Sequence, residues 1–274
     1  MKSTSNVPKG LSIHLGVNNF DAKHYHGWQG NLTQAETDAE DLANIAQMMG
    51  FETKVLLGKE ATVNRVSLYL KNALKNMETN DILFLTFSGY AGFLPVITNK
   101  DRQDSKKTWC LYDAQLMQDA ITAQFVSFNK KVRVLILSDC GAYNPINNPN
   151  PTSTCFEDAP PKSLPESISL GTYLRNKDYY DSQVLKNLNV RHDGMPASIQ
   201  WLNACHDNQT AIERKFNGLL TATIKSVWRG GNFDRPYNQF FKQIRWRTPA
   251  YQTPELIKMG KPNSGFYQET PFQI

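Results

Sequence analysis

Two uninterrupted apolar runs constrain this chain more than any other feature. One lies within Lys131–Asn144, where Val132, Val134, Leu135, Ile136 and Leu137 run straight into Ser138, Asp139, Cys140 and Gly141. The other is Asp81–Phe87, followed by Ser88, Gly89, Tyr90, Ala91 and Gly92. A short apolar run with no polar alternation is the signature of a strand covered on both faces. Such strands belong to parallel α/β sheets, whose sites sit just past the carboxyl ends of the strands. Two strands ending in small, polar residues therefore predict one shared site at Ser88–Tyr90 and Asp139–Gly141.

The rest of the chain supplies matching elements. Strands are expected at Leu11–Val17, Phe51–Leu57 and Ala197–Ala204. Ala39, Leu42, Ile45, Ala46 and Met49 share a helical face that Gly50 ends. Thr62 is placed to cap a helix carrying Val63, Val66, Leu70, Ala73 and Met77. The β-α-β-α-β order predicts a mostly parallel sheet with helices on both faces. Leu94–Lys107 is expected as a surface loop, Trp109–Tyr112 as a short strand and Leu116–Phe128 as a helix. Asn144–Glu166 holds prolines at 145, 149, 151, 160, 161 and 165 and is expected to be irregular. Further helices are expected at Asp178–Leu188, Ile212–Val227 and Tyr237–Trp246.

The length of 274 residues allows one large domain or two small ones. Hydrophobic residues make up 40% and charged residues 20%, an ordinary globular balance. The net charge of +5 is spread without a block of like charge, which argues against nucleic-acid binding. No apolar run approaches a membrane span, and the first ten residues hold no secretory leader. Cys110, Cys140, Cys155 and Cys205 lack C-x-x-C spacing, so reduced thiols in a cytoplasmic protein are expected. There is no phosphate-binding loop motif. His24 and His26 could ligate a metal, but two histidines in an aromatic loop read more simply as packing.

Six segments, in order, are similar to the caspase-fold cysteine peptidases, specifically the bacterial metacaspase-like (orthocaspase) branch. They are HLGVNNF, GWQGNLTQAETDAEDLANIAQMMGFET, DILFLTFSGYAG, TWCLYDAQL, VRVLILSDC and ACHDNQTAIERKFNGLLT. The resemblance implies a single caspase-like α/β sandwich over 1–274. It divides into a larger half at 10–142, a proline-rich insertion at 143–196 and a smaller half at 197–274. It also implies a thiolate nucleophile and a histidine that moves its proton. The family carries the histidine in an S-G-H-G turn and the cysteine in a D-S-C-H-S-G turn. Here Tyr90 stands in the histidine's place and Gly141 in the cysteine's, with Cys140 one residue early.

Tyrosine, with a pKa near 10, is no substitute for imidazole. Side chains alternate along a strand, so Cys140 should face away from the side that Asp139 and Gly141 share. The resemblance further implies an acidic pocket for a P1 arginine or lysine, formed by Asp38, Ser88 and Asp139, with Asp207 at its rim. The plainer alternative is that Asp38 and Asp139 only satisfy backbone donors. Relatives often use calcium, but VITNKDRQDSKK and the Gln118–Asp119 pair do not support it here, and no cofactor is expected. The expectation is a pseudo-peptidase that binds a peptide or protein partner, one with basic residues being the natural fit. An active endopeptidase cutting after Arg or Lys through Cys140 is the alternative.

Overall fold

In a computed structural model of the chain, residues 7–96, 104–126, 128, 130–141, 159–187 and 194–274 are described. Elements follow in chain order as β1 Gly10–Gly16, α1 Ala35–Met48, β2 Glu52–Leu57, α2 Val63–Asn76, β3 Ile82–Ser88, β4 Ala91–Val96 and β5 Asp104–Cys110. Next come β6 Gln115–Met117, α3 Gln118–Val126, β7 Arg133–Asp139, α4 Glu166–Arg175, α5 Lys177–Asn187 and β8 Ser198–Asn203. The chain ends with α6 Leu219–Trp228, α7 Tyr237–Arg247, β9 Glu255–Gly260 and α8 Ser264–Gln268.

The two apolar runs become β3 and β7, neighbours in a six-stranded sheet of order β2-β1-β3-β7-β8-β9. Five strands are parallel, and β9 is antiparallel at the edge. Every residue of β3 and of β7 is buried. Their alternate side chains feed two cores. Leu83, Leu85, Val134 and Ile136 pack with α2 and α3 residues such as Val66, Leu70, Ile121 and Phe125. Ile82, Phe84, Leu135 and Leu137 pack on the other face with Leu42, Ile45, Leu220, Ile224 and Phe240. Each of these side chains contributes roughly 1.5–3 kcal/mol of burial, so the site edge rests on strands buried on both faces. Gly16 lets α1 approach closely, because a Cβ there would lie 2.6 Å from the Ala35 carbonyl oxygen. Thr62 caps α2 by accepting from the Arg65 amide at 3.3 Å.

Several stretches differ from the sequence expectation; the helix expected from Leu116 starts at Gln118, because Leu116 and Met117 pair with β5 as part of β6. Leu94–Lys107 is not a surface loop where it is described: β4 and β5 pair antiparallel and join β6 in a second, three-stranded sheet. Leu94 is fully buried against Tyr173 and Tyr180, a tertiary partner that local composition does not reveal. The helix expected from Ile212 begins only at Leu219, and Phe216 is 71% exposed. Ile212 and Glu213 are instead in extended pairing, tied to Pro161 and Gly218. The tail beyond Pro254 contributes β9 and α8, whose alternating and helical patterns are too short to register alone. Among the described residues no helix is long and apolar enough to cross a membrane.

Candidate functional site

Ser88 and Asp139, the last residues of β3 and β7, are register partners and so stand side by side. Asp38, in the first turn of α1, leans over them: Ser88 Oγ donates to Asp38 Oδ2 at 2.6 Å. Asp38, Ser88 and Asp139, which the resemblance groups, thus lie together. The sequence did not foresee what lies between them. Lys162 reaches in from the proline-rich segment, and its side chain is wholly buried. Its Nζ lies 3.0 Å from Asp38 Oδ2, donates to Ser88 Oγ at 2.7 Å, and sits 3.2 Å from Asp139 Oδ1.

The carboxylates have structural duties as well. Asp38 accepts from the Gly218 amide at 2.9 Å and from Asn217 Nδ2 at 2.9 Å. Asp139 Oδ2 accepts from the Thr221 amide at 2.8 Å and from its hydroxyl at 2.7 Å. Both therefore hold the start of α6, where unpaired amides and the helix dipole favour negative charge. Gly218 is required there, since a Cβ would come within 2.4 Å of both Asp139 Oδ2 and Lys162 Nζ. Burial alone would pull the Lys162 ammonium down. Asp139 and Asp38 more than reverse this and hold it above the ordinary lysine value. Burial pushes the Asp38 carboxyl up, while Lys162 opposes the shift. Only donors meet the two Asp38 oxygens, so the carboxylate is the form that fits.

The backbone around Lys162 is equally specific. Its amide donates to the Ala211 carbonyl at 2.7 Å, and the Glu213 amide donates to the Pro160 carbonyl at 2.8 Å. The Lys162 carbonyl accepts from the Ala91 amide at 3.0 Å and the Gly141 amide at 3.3 Å. Residues 160–164 thus lie extended between 211–213 and the ends of β3 and β7, pairing like an added strand. Pro160 and Pro161 favour that extended form before the chain enters the groove. Glu213, unnoticed in the sequence, anchors this wall: its carboxylate accepts from the Thr33 amide at 2.9 Å and also from the Gln34 amide at the start of α1.

Around Tyr90, the position that the resemblance gives to the histidine, the structure is close-packed. The Tyr90 hydroxyl donates to Asn31 Oδ1 and accepts from the Asn31 amide, and the ring packs on Phe20 and Trp28. Burial pushes its phenol up to about 12. Gly141 and Tyr90 are neighbours, as expected, since the amides of Gly141 and Ala91 share one acceptor. A Cβ at Gly141 would meet Cys205 Sγ at 2.2 Å, so Cys205 fills the space that a side chain at this position would take. Cys140 packs into the core on the α2–α3 side with Trp109 and Leu164, opposite to Asp139. It is 4% exposed, and burial raises its thiol well above the ordinary value.

Asp207 does not join Asp38 and Asp139. It pairs with Lys107 and, with Cys140, Gly141, Cys205 and His206, lines a separate small cleft. His24 Nε2 is 2.5 Å from the Tyr180 hydroxyl, and the His26 ring covers Gly171. Asp119 is paired with Lys106 at 2.8 Å. Cys155 lies outside the described residues, as does most of Asn144–Glu166. The one signal that pointed to Lys162 was chemical: two buried carboxylates need a cation, and this segment supplies a lysine beside prolines and leucine.

Residues 13–270 match a family model described as the caspase domain. No curated protein matches. Among solved structures, protein GSU0716 from Geobacter sulfurreducens is 34% identical over 97% of this chain and 99% of that one, with a TM-score of 0.88. Caspase-1 from Spodoptera frugiperda is 11% identical over 96% of this chain and 98% of its own, with a TM-score of 0.57, a likeness of fold alone.

Proposed function

The chain belongs to the caspase-domain family, and from that premise we propose that it is a member without peptidase activity, acting as a binding or regulatory module. One observation carries the reading. The position that the resemblance gives to the nucleophile is Gly141, and the space its side chain would take is occupied by Cys205. Tyr90, held by Asn31 and with its phenol raised to about 12, supplies no base at neutral pH. Cys140, turned into the core with a raised thiol, is a poor candidate for the thiolate that the chemistry requires.

The groove is better suited to holding a chain than to cutting one. The resemblance assigns the acidic pocket to an arginine or lysine, and the protein's own Lys162 fills it. A peptide or protein partner presenting a basic residue would compete with Lys162 for the same carboxylates. Binding of Arg or Lys peptides to the intact protein is therefore expected to be weak and to strengthen when Lys162 is removed. Asp119 is bonded to Lys106, which supports a module that works without calcium.

Reporter peptides ending in Arg or Lys test the reading. No turnover is expected with or without calcium. Cleavage that disappears in Cys140→Ala would establish the alternative, an endopeptidase using Cys140.

A further inference from the structure

The end of α6 remote from the Lys162 cluster borders a cavity. The ten residues of α6 span about 15 Å at 1.5 Å per residue, so the two ends are well separated. The helix stops at Arg229, whose φ of 52° is left-handed, and Gly230 and Gly231 continue the left-handed turn with φ of 63° and 93°. Phe233 then anchors the chain by packing on Phe240, and Arg235 precedes the start of α7. Arg229 and Arg235, on either side of the turn, and Arg247, in the last turn of α7, line one cavity of about 290 Å³. Gln239 and Gln243 of α7 complete its polar wall, and Val227 and Phe233 form the apolar part.

No carboxylate lines this cavity. Among the described residues the arginines in ion pairs are Arg65 and Arg133, whereas Arg229, Arg235 and Arg247 are in none. Arg229 reaches only the Asn232 carbonyl at 3.4 Å, and Arg247 only Ser226, at 3.2 Å to its hydroxyl. Arg235 stands at the positive end of the α7 dipole, where a cation is disfavoured. The segment 225–247 holds six basic residues against one acidic residue, Asp234, which concentrates positive potential here. Of those six, Lys225 is neutralised by Asp41 at 2.6 Å. Three like charges around a concave surface, without counter-charge, are the arrangement that a multivalent oxyanion stabilises. Guanidinium groups match its oxygens two at a time.

We propose that this cleft binds a phosphomonoester bearing a compact apolar group. The phosphate would sit among the three guanidinium groups, the amides of Gln239 and Gln243 would complete its hydrogen bonds, and the organic group would cover Val227 and Phe233. A cavity of this size lies at the small end of ligand pockets, which fits one ring-sized group.

The test uses the full chain with phenyl phosphate, inorganic phosphate and benzyl alcohol as separate probes at constant ionic strength, read by calorimetry and thermal shift. Saturable binding of phenyl phosphate is expected, roughly tenfold tighter than inorganic phosphate, with none of benzyl alcohol. Arg235→Gln should weaken phenyl phosphate about tenfold or more, and Arg229→Gln with Arg247→Gln should abolish binding, whereas Arg65→Gln should change nothing. Equal binding by the cleft variants and the intact protein would overturn the proposal. So would no saturable binding of either phosphate, or binding only to a long polyanion such as single-stranded nucleic acid. Peptidase turnover has no bearing on any of these outcomes.

Discussion

Replacing Lys162 by methionine keeps most of the buried volume and removes the charge. The structure then holds Asp38 and Asp139, both fully buried, with no cation between them. Removing one partner of a buried ion pair costs roughly 3–5 kcal/mol, because the remaining charge is left uncompensated. Two carboxylates would be left here, although the donors from α6, Asn217 and Ser88 soften the loss. A destabilisation of about 3–5 kcal/mol at neutral pH is expected, a drop in Tm of roughly 10 °C for a chain of this size. Adding Asp139→Asn to Lys162→Met should restore part of the loss, since the pair of substitutions removes both signs of charge. Urea unfolding of the intact protein, the single variants and the double variant measures the coupling. A Lys162→Met protein within about 1 kcal/mol of the original at pH 7 would refute the reasoning, as would strict additivity in the cycle.

Other outcomes follow from the same packing. Gly141→Cys combined with Tyr90→His should fail to create a peptidase, and Gly141→Cys alone should cost about 1–3 kcal/mol, because its Cβ would strike Cys205 Sγ; turnover of Arg reporters by the double variant would contradict this. Gly218→Ala should be comparably destabilising, since its Cβ would intrude between Asp139 and Lys162, and thermal unfolding checks it. His14 is fully buried with Nδ1 2.9 Å from the Thr86 hydroxyl, and burial lowers it to about 3. The unfolded chain binds that proton below about pH 6.5 and the folded chain does not. Stability should thus be complete above pH 6.5 and fall as pH drops towards 3, by roughly 2 kcal/mol at pH 5. In His14→Leu that part of the pH dependence should vanish in denaturant titrations.

The sheet was legible because β3 and β7 each carry an apolar run with almost no polar alternation, ended by small polar residues. Side-chain alternation also placed Cys140 on the face away from Asp139, and the structure has it there. Asp38, Ser88 and Asp139 could be grouped beforehand because the segments that carry them resemble the family's. Lys162 was not, because its partners lie 124 positions away in sequence at Asp38 and ahead of the proline-rich insertion at Asp139. Glu213 was hidden for a similar reason: apolar residues at helical spacing from Ile212 suggested a helix, while the actual backbone there pairs with Pro160 and Pro161. Leu94 illustrates a third cause, since its burial depends on tyrosines of α4 and α5. Local pattern reports what a segment can be. Which partner fills a groove is decided by contacts between distant segments.

Selective acetylation of lysines in the native protein, read by mass spectrometry, tests most directly whether the groove is filled from within. Lys71 and Lys75 are exposed on α2 and serve as internal references. Lys162, fully buried and held protonated by two carboxylates, should remain unmodified while the references react, and should react once the chain is unfolded. Modification of Lys162 at the rate of Lys71 in the native protein would contradict the account.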